Sequence, residues 1–567
     1  MATTPAQRRH DQGKSEMTND CTSTTPDYDA IVVGAGLSGI YAVHRLQQRG
    51  FTVRAFERGS GVGGTWFWNR YPGLQCDTET LSYSFTFSDE LYRGWNWSRR
   101  FAPQSELMAY ANYMTDALGV RDAIQLNTAV LGAHFDDDAN LWRVDLDTGQ
   151  SVTGRYFVAA SGPLSTTNSP TIAGLDTFEG TVLHTAQWPF EPVDFTGKKV
   201  GVVGTGSSGA QLITALAGTV DKLVVFQRTP QYVTPAQQRP LGEEEVRERK
   251  DNLDDLRALM RSSSHGAPGT GTDRSAFDDT PEERDRVFQA AWEFGAQAFA
   301  LATYNDLTSN EEANGFAADF VRRKIAEIVD DPETARKLMP TYLFGTKRPI
   351  KVDDYYETFN RPNVQLVALR EEPFVSATTT GIRTTAADYD LDYLIFATGF
   401  DAMTGTLFEM DIRGRDGLTL RDKWENGVYV RTALGVAMHE FPNMFLVQGP
   451  QSTTIMNNYT LGIEINMDFI AGLLERARAE GNELIEATAQ SEVEWAELCQ
   501  TLAERTLLLK TESWWTGANI AGKPRPKLFQ SYTGGLKQYR LALERAQADG
   551  YREFERTPVQ TAVLADA

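Results

Sequence analysis

The chain has 567 residues and carries 55 Lys and Arg against 76 Asp and Glu, a formal net charge of −21. So acidic a surface excludes general binding to nucleic acid or to an anionic membrane, because phosphate contacts need a cationic field. The hydrophobic content of 41% and the charged content of 23% are those of globular proteins. At about 150 residues per domain, the length predicts three to four domains.

Cysteine and histidine are scarce, with three and six residues in the whole chain. They are Cys21, Cys76 and Cys499, and His10, His44, His134, His184, His265 and His439. No two cysteines form a C-x-x-C pair and no two histidines are three or four residues apart, so we expect no disulfide scaffold, redox dithiol or metal site. Redox chemistry would therefore need an organic cofactor. No apolar run reaches the ~18 residues of a membrane span, so a cytoplasmic protein without a membrane anchor is expected.

Two segments share a pattern of strand, glycine-rich turn and helix. After a disordered leader predicted over residues 1–26, a β-branched run from Tyr28 ends in Gly34, Gly36 and Gly39 and continues into a helical repeat. The same arrangement recurs 170 residues later at Gly204, Gly206 and Gly209. A G-x-G-x-x-G turn brings backbone N–H groups close to a pyrophosphate at a helix N-terminus. The chain is therefore predicted to be an α/β protein with two Rossmann-like dinucleotide-binding domains.

The remaining segments predict how the chain divides between these domains. Charged helical patterns fill residues 235–344, interrupted by a Ser/Gly/Pro-rich loop at 262–272, and strand-like runs resume at 364–369 and 391–399. We expect a first dinucleotide-binding domain from 27–153 and 396–567, a second from 164–234 and 345–395, and an inserted helical subdomain from 235–344.

Residues that follow each glycine turn indicate which dinucleotide it binds. Glu57, 23 residues after Gly34, ends a strand where a carboxylate can accept hydrogen bonds from ribose hydroxyls, as in FAD or NAD sites. At the corresponding place after Gly204 stand Arg228 and Thr229, and a guanidinium there suits the 2′-phosphate of NADP. The plainer alternatives are a tight turn, a solvated strand end for Glu57 and a surface charge for Arg228.

Three further segments go beyond a pair of dinucleotide-binding turns. One has the pattern F-x-G-x-x-x-H-x-x-x-W-P, with Phe178, Gly180, His184, Trp188 and Pro189 at its fixed positions. The other two are Gly63-Gly-Thr-Trp-Phe-Trp-Asn-Arg-Tyr-Pro-Gly73, with Asp77 after it, and Gly345-Thr-Lys347-Arg348-Pro. Together these segments resemble the type I Baeyer-Villiger monooxygenases, whose fingerprint the first one matches at every fixed position. With Ala397-Thr-Gly399 and Ser513-Trp514-Trp-Thr-Gly-Ala-Asn519, the resemblance extends over roughly residues 28–555.

The resemblance implies cofactors and residue roles that the patterns alone leave open. FAD would occupy the first domain and NADPH the second, with Arg348 as the active-site arginine and Asp77 as its orienting partner. Residues expected to line the flavin are Gly64, Thr65, Trp66, Asp77 and Tyr83, and those expected around NADP are Gly204, Gly206, Ser207, Ser208, Gly209, Arg228, Thr229, Lys347 and Trp514. The fingerprint would link the domains and respond to NADP. On residue types alone, His184 and Trp188 could be core packing, Arg348 a surface cation and Trp514 an exposed aromatic.

The activity implied is oxygen insertion next to a ketone carbonyl, which gives an ester or lactone by way of a C4a-peroxyflavin formed from NADPH and O2. Thr454 and Met456, in the loop after the strand 443–449, are expected to face the ketone. The nearest alternative is a flavin monooxygenase that oxidises nitrogen or sulfur, whose fingerprint usually ends in Tyr or Phe where Trp188 and Pro189 stand. A disulfide reductase lacks its cysteine pair here, and a nucleotide-binding protein without catalysis remains a further alternative. We expect a monomer.

Overall fold

The computed structural model describes residues 25–269, 271–453, 455–520 and 522–558, so the predicted leader lies almost entirely outside the described residues. The strands, in chain order, are β1 (Tyr28–Val33), β2 (Val53–Phe56), β3 (Ile124–Gln125), β4 (Val130–Asp136), β5 (Leu141–Leu146), β6 (Ser151–Ala159), β7 (Thr181–His184), β8 (Lys199–Val203), β9 (Lys222–Gln227), β10 (Val233–Thr234), β11 (Ile350–Lys351), β12 (Val364–Ala368), β13 (Phe374–Thr378), β14 (Gly381–Thr384), β15 (Asp388–Asp390), β16 (Tyr393–Phe396), β17 (Asp411–Arg413), β18 (Met444–Leu446), β19 (Leu484–Ala487) and β20 (Phe554–Thr557).

The α-helices, in chain order, are α1 (Leu37–Gln48), α2 (Thr65–Trp68), α3 (Asp89–Gly94), α4 (Gln104–Ala117), α5 (Ser207–Leu216), α6 (Glu243–Asp251), α7 (Leu253–Ser262), α8 (Pro281–Phe294), α9 (Ala298–Leu301), α10 (Glu311–Ile328), α11 (Pro332–Leu338), α12 (Gly405–Glu409), α13 (Leu420–Lys423), α14 (Tyr459–Glu480), α15 (Ala489–Glu504) and α16 (Leu536–Ala548). None of the helices in the described ranges is both long and apolar enough to cross a membrane.

The first sheet carries the first glycine turn. Its strand order is β17-β4-β5-β6-β1-β2-β3, with β18 also paired to β6. Strand β1 lies parallel to β2 and β6, and its Ala30, Ile31 and Val32 are fully buried because the sheet is covered on both faces. Strand β6 runs to Ala159, so this sheet continues six residues past the predicted boundary at 153.

The second sheet carries the second glycine turn. All its neighbouring strands are parallel, in the order β12-β9-β8-β16-β7. Strand β8 turns at Gly204 into α5, whose apolar face packs against the sheet through Leu212 and Ile213. The doubly repeated strand, turn and helix confirm the predicted α/β class with two Rossmann-like units.

The helical insertion divides between the two units, which differs from the single subdomain predicted over 235–344. Helices α8 to α11 pack on the second unit, where Phe288 and Phe320 share a core with α5. Helix α7 instead packs on the first unit, where Leu256 contacts the cluster that contains Leu461 and Leu536. The hydrophobic repeat predicts helices in this stretch, but it cannot show which partner each apolar face meets.

Two connecting segments join the units and run against each other. The chain leaves the first sheet after β6 and returns to it after β16, and the two crossings form an antiparallel bridge between Thr167 and Phe400. Asn168 N donates to Gly399 O at 2.9 Å, and Asp401 N donates to Thr166 O at 2.9 Å. The junction between the units is therefore a hydrogen-bonded double linker.

Substitution of Gly209 should destabilise the second unit. A Cβ at Gly209 would overlap the carbonyl oxygen of Gly204, which is backbone and cannot move aside. We expect Gly209→Ala to lower the free energy of unfolding of this unit by about 2–3 kcal/mol, measured by urea denaturation. Gly218→Ala is the matched control, because a Cβ there meets nothing within 4 Å and should change the free energy by less than about 0.5 kcal/mol. Equal losses in the two variants would contradict this account of the turn.

Candidate active site

The first glycine turn is held in shape by Glu57. Gly34 has a φ of +99°, and Glu57 lies 5% exposed at the end of β2. The Glu57 carboxylate accepts hydrogen bonds from Ala35 N and Gly59 N, both at 2.8 Å. Each carboxylate oxygen thus already has a backbone donor, and its remaining lone pairs are what it can offer a ribose.

The segment from Gly64 to Tyr83 packs beside this turn and contributes aromatic side chains. A Cβ on Gly64 would stand 2.8 Å from the Cα of Gly36, so the two backbones pack directly against each other. Helix α2 then presents an exposed Thr65 and a buried Trp66, whose ring meets that of Tyr83 edge to face at 6.1 Å. Burial raises the pKa of Tyr83, so its hydroxyl stays protonated near neutral pH.

Several buried polar atoms near the carboxyl edge of the first sheet lack partners within the described ranges. Both side-chain polar atoms of Gln448, the Thr453 hydroxyl and the Tyr459 hydroxyl are buried without a hydrogen bond there. Strand β18 ends just before Gln448, and ligands of open α/β sheets bind outside the carboxyl ends of the strands. Unsatisfied buried groups are costly, and a polar ligand bound at this edge is one way to satisfy them.

Asp77 and Arg348 form a bidentate ion pair at the boundary between the units. Arg348 Nε donates to Asp77 Oδ2 at 2.6 Å, and Arg348 Nη2 donates to Asp77 Oδ1 at 2.8 Å. The two side chains are 22% and 25% exposed, so the pair is sheltered but open on one side. The structure therefore brings together the two residues predicted to be catalytic, which are 271 positions apart.

A second cation, Lys351, contacts the same carboxylate and was not predicted from the sequence. Its Nζ lies 3.7 Å from Asp77 Oδ2, and its side chain is 6% exposed. Burial alone would raise the pKa of Asp77, but Arg348 and Lys351 outweigh it and hold that pKa well below its usual range. Asp77 in turn raises the pKa of Arg348, so this pair is charged at any working pH.

The second glycine turn has more free space beside its middle glycine than the first turn has. Gly204 has a φ of +107°, and a Cβ there would lie 2.5 Å from Ala397 O. A Cβ at Gly206 would instead meet nothing within 4 Å, which leaves free space before the first turn of α5 at Ser207 and Ser208. Such a space beside the backbone N–H groups of a helix N-terminus suits a pyrophosphate.

Three cations gather beyond this turn, and one of them, Arg370, was not predicted. Arg228 is exposed at the end of β9, and Arg370 Nη2 reaches Thr229 Oγ1 at 3.5 Å. Burial, with Arg228 and Arg370 nearby, lowers the pKa of Lys347 to about 8. Among the described residues, no carboxylate forms an ion pair with any of the three. In a protein of net charge −21, such a cluster is suited to an anionic ligand.

The fingerprint residues lie at the double linker. His184 ends β7, its Nδ1 accepts from Ala186 N at 3.1 Å, and its Nε2 lies 3.4 Å from both Asn168 O and Thr398 Oγ1. Burial lowers the pKa of His184, so the ring is neutral and its Nε2–H points at the junction. Trp188 packs in the core of the second unit.

Packing explains why the residue types at the other fixed positions of the fingerprint are needed. A Cβ on Gly180 would overlap the Phe178 ring and stand 2.7 Å from Asp392 O. Phe178 itself is buried in the cluster behind the second sheet, and Pro189 is half-buried after Trp188. These contacts give the fixed positions a structural reason.

Two of the three predicted loop residues, Trp514 and Met456, lie within the described residues. Trp514 is half-buried and packs edge to face on Trp515 at 5.6 Å, in a cluster that Met456 also joins. The Trp514 segment is tied to the site because Thr346 Oγ1 donates to Thr511 Oγ1 at 2.7 Å, one residue before Lys347. Thr454 lies outside the described residues.

Comparisons with known proteins agree with this geometry. A family model of NAD(P)-binding Rossmann-like domains matches residues 32–96. A Baeyer-Villiger monooxygenase of Pseudooceanicola batsensis is 40% identical, with 94% of this chain and 96% of that protein covered. A phenazine N-monooxygenase of Lysobacter antibioticus is 41% identical, with 93% and 96% covered. The crystal structure of cyclohexanone monooxygenase from Rhodococcus sp. Phi1 bound to NADP+ superposes with a TM-score of 0.91 at 41% identity, covering 94% of this chain and 99% of that one.

Identity at this level over nearly the whole length, together with the shared fold, assigns the family. The chain belongs to the Baeyer-Villiger monooxygenases.

Proposed function

We propose that the protein is an NADPH- and O2-dependent flavin monooxygenase that inserts one oxygen atom next to a ketone carbonyl and gives an ester or a lactone. One observation carries the proposal: Lys347 and Arg348 are consecutive, yet the first belongs to the cation cluster and the second to the Asp77 ion pair. A single turn of the chain thus joins a site for a phosphorylated dinucleotide to a site for an arginine-stabilised reaction.

The residues present fit FAD in the first unit and NADP in the second. FAD would rest on Gly34, Gly36, Gly39 and Glu57, with its ring system toward Trp66, Tyr83 and the unpartnered polar groups near Gln448. NADP would place its pyrophosphate before Gly206 and Ser207 and its 2′-phosphate among Arg228, Thr229 and Lys347, with Arg370 as a third cation. Trp514 would lie beside its nicotinamide. Bound FAD, once reduced by NADPH, supplies the activation of O2.

Arg348 is proposed to stabilise negative charge in the reaction. Its guanidinium remains protonated at any working pH, and Asp77 holds it in one orientation through Nε and Nη2. A donor fixed before the reaction can stabilise the developing charge on a ketone oxygen without reorganisation. Neutral His184 is committed to the linker and is given no proton-transfer role.

A cytoplasmic location and a monomeric state are also part of the proposal. So are the domain limits inferred above, apart from the extension of the first segment to Ala159 and the division of the helical insertion between the units. NADPH and O2 are both available in the cytoplasm, and Cys76 and Cys499 are free and buried, which suits a reducing compartment. The ketone is proposed to lie near Met456 and Thr454.

Oxygenation of a ring nitrogen is the second candidate function. The specific observation in its favour is the 41% identity to a phenazine N-monooxygenase. An aromatic nitrogen carries a lone pair and attacks an electrophilic oxygen, whereas a ketone carbonyl is itself attacked, so the two reactions make different demands on Arg348. Its charge favours the reaction that develops an oxyanion on the substrate.

The first test is a product assay on FAD-loaded enzyme with NADPH, O2 and a panel of cyclic, linear and aryl ketones, a sulfide and a phenazine. We expect esters or lactones that carry one oxygen atom from labelled O2, detected by mass spectrometry. Arg348→Ala should keep FAD but lose at least about 100-fold in ester formation, because one preorganised donor is worth that much.

Arg348→Lys serves as the companion variant, since it keeps the charge while losing the bidentate geometry, and it should retain partial activity. Normal ester formation by Arg348→Ala would show that the wrong cation was chosen. N-oxide or sulfoxide from a panel in which no ketone reacts would transfer the assignment to heteroatom oxygenation.

The 2′-phosphate assignment predicts selective losses of NADPH binding. Arg228→Ala should raise the KM for NADPH by about 10- to 100-fold through loss of a charge-assisted bidentate contact, and leave the KM for NADH nearly unchanged. Arg370→Ala should have the same selectivity with a smaller effect of about two- to fivefold, because Arg370 reaches the site only through a 3.5 Å contact with Thr229 Oγ1, and Arg228 and Lys347 remain in this variant. Steady-state kinetics with both cofactors decide it, and equal changes for NADPH and NADH would remove the assignment.

Lys347 predicts how NADP+ binding depends on pH. Its pKa of about 8 in the free protein must rise when a dianionic phosphate binds, so above pH ~8 binding takes up a proton and affinity falls as pH rises. A phosphomonoester has its second pKa near ~6 and contributes little in this range. Calorimetry from pH ~7 to ~9.5 should show that the affinity for NADP+ declines as the pH rises, and that the affinity for NAD+ declines less. In Lys347→Met, the part of the decline that is due to this lysine should be absent. A flat wild-type profile for NADP+ would contradict the placement of Lys347.

A further inference from the structure

Lys351 contacts the Asp77–Arg348 ion pair from the interior side, and it is the most buried of the three charged residues. It ends β11, whose parallel pairing with β10 sets Lys351 opposite Thr234 at the base of the helical insertion. Its side chain is 6% exposed, whereas those of Asp77 and Arg348 are 22% and 25% exposed. Arg348 therefore faces the open side of the site, and Lys351 faces the interior.

The charges of the three groups do not cancel. Asp77 and Arg348 in bidentate contact sum to zero, and the field of a neutral pair falls off faster with distance than that of a net charge. With Lys351 protonated, the cluster carries one net positive charge in a sheltered place. Lys351 has no carboxylate other than Asp77 as an ion-pair partner in the described part of the chain.

We propose that Lys351 is a positioning residue that supplies the net positive charge of the Asp77–Arg348 site, so that Arg348 acts on anionic species although its own charge is matched by Asp77. This inference rests on the proposed function, since the anions concerned are the reduced flavin and the ketone-derived oxyanion. Lys351 also keeps Asp77 partnered if Arg348 turns toward either of them. An isolated buried carboxylate would oppose that turn.

The charge of Lys351 is the quantity to be tested, and the charged groups around it change protonation in other pH ranges. Burial lowers the pKa of Lys351, Asp77 opposes that change and Arg348 adds to it. Burial raises the pKa of the Cys76 thiol, which adjoins the same groups, to about 12. Asp77 and Arg348 keep their charges throughout the accessible range. As the pH rises, Lys351 is accordingly the first member of this cluster to lose its charge.

The test is the midpoint potential of FAD in the FAD-loaded enzyme, measured by equilibration with a redox dye, because a nearby positive charge stabilises the anionic reduced flavin. We expect Lys351→Met to lower the equilibrium constant for two-electron reduction by about tenfold at pH ~7.5, which equals about 30 mV. Lys351→Arg should retain the wild-type potential. The difference between wild type and Lys351→Met should shrink as the pH is raised and Lys351 loses its proton in the wild type.

A neutral side chain of similar length provides the second variant. Lys351→Gln can still hydrogen bond to Asp77, so it decides the question if Lys351→Met fails to fold or to retain FAD, and it should show the same lowered potential. Lys423→Met is the matched control, because Lys423 is also well buried, at 14% exposure, and pairs with Glu440 and Glu492 away from this cluster. It should leave the potential unchanged.

The outcomes separate this inference from the proposed function. Wild-type protein that binds no FAD would overturn the proposed function itself. Wild-type potentials in both neutral variants, in an enzyme that binds FAD and oxygenates ketones, would overturn only the role of Lys351. A potential lowered as much by Lys351→Arg as by Lys351→Met would show that shape is what matters, and would also overturn it.

Discussion

The ion pair between Asp77 and Arg348 exists only if the two dinucleotide-binding units dock in one arrangement, because each unit supplies one partner. The segment 71–77 makes that contact. Tyr71 Oη donates to Gln211 Oε1 at 3.0 Å, and Gln211 Nε2 donates to Gln75 O at 3.0 Å, so this segment of the first unit is fixed to helix α5 of the second. Gly73, with a φ of +82°, allows the two backbones to approach closely here, since a Cβ there would lie 2.7 Å from Gln211 O.

Docking at this position determines the electrostatics of the site. A carboxylate as sheltered as Asp77 needs compensation, and the second unit brings both Arg348 and Lys351 to it from one short stretch of chain. The same stretch carries Lys347 into the cluster with Arg228 and Arg370. An acidic protein thus places positive charge both at the site proposed for the 2′-phosphate and at the site proposed for the reaction, where an anionic cofactor would be attracted and oriented.

The parts of the fold that could be predicted from the sequence are those determined by local patterns. Both glycine turns, the strands before them and the helices after them have short-range reasons, such as the backbone contact of Gly209 with Gly204. Arg348 and Asp77 were predicted through family resemblance, since nothing in the chain between these two residues, 271 positions apart, indicates that they meet. Lys351 and Arg370 were missed because a lone cation in or after a strand has the same local pattern whether it faces solvent, a phosphate or a buried carboxylate. Their roles depend on tertiary contacts.

The most specific sequence signal and the proposed chemistry lie in different places, for a physical reason. The fingerprint is recognisable because Phe178, Gly180 and His184 satisfy steric and hydrogen-bonding demands within a few residues of one another, at a linker that two chain segments share. The ion pair is assembled across the docking surface, so no contiguous motif can contain it. Neutral, buried His184 makes its hydrogen bonds within the linker that joins the two units. We therefore propose that the fingerprint relates to oxygenation through the docking of the units, which sets the position of Arg348 relative to Asp77, and not through any group of its own.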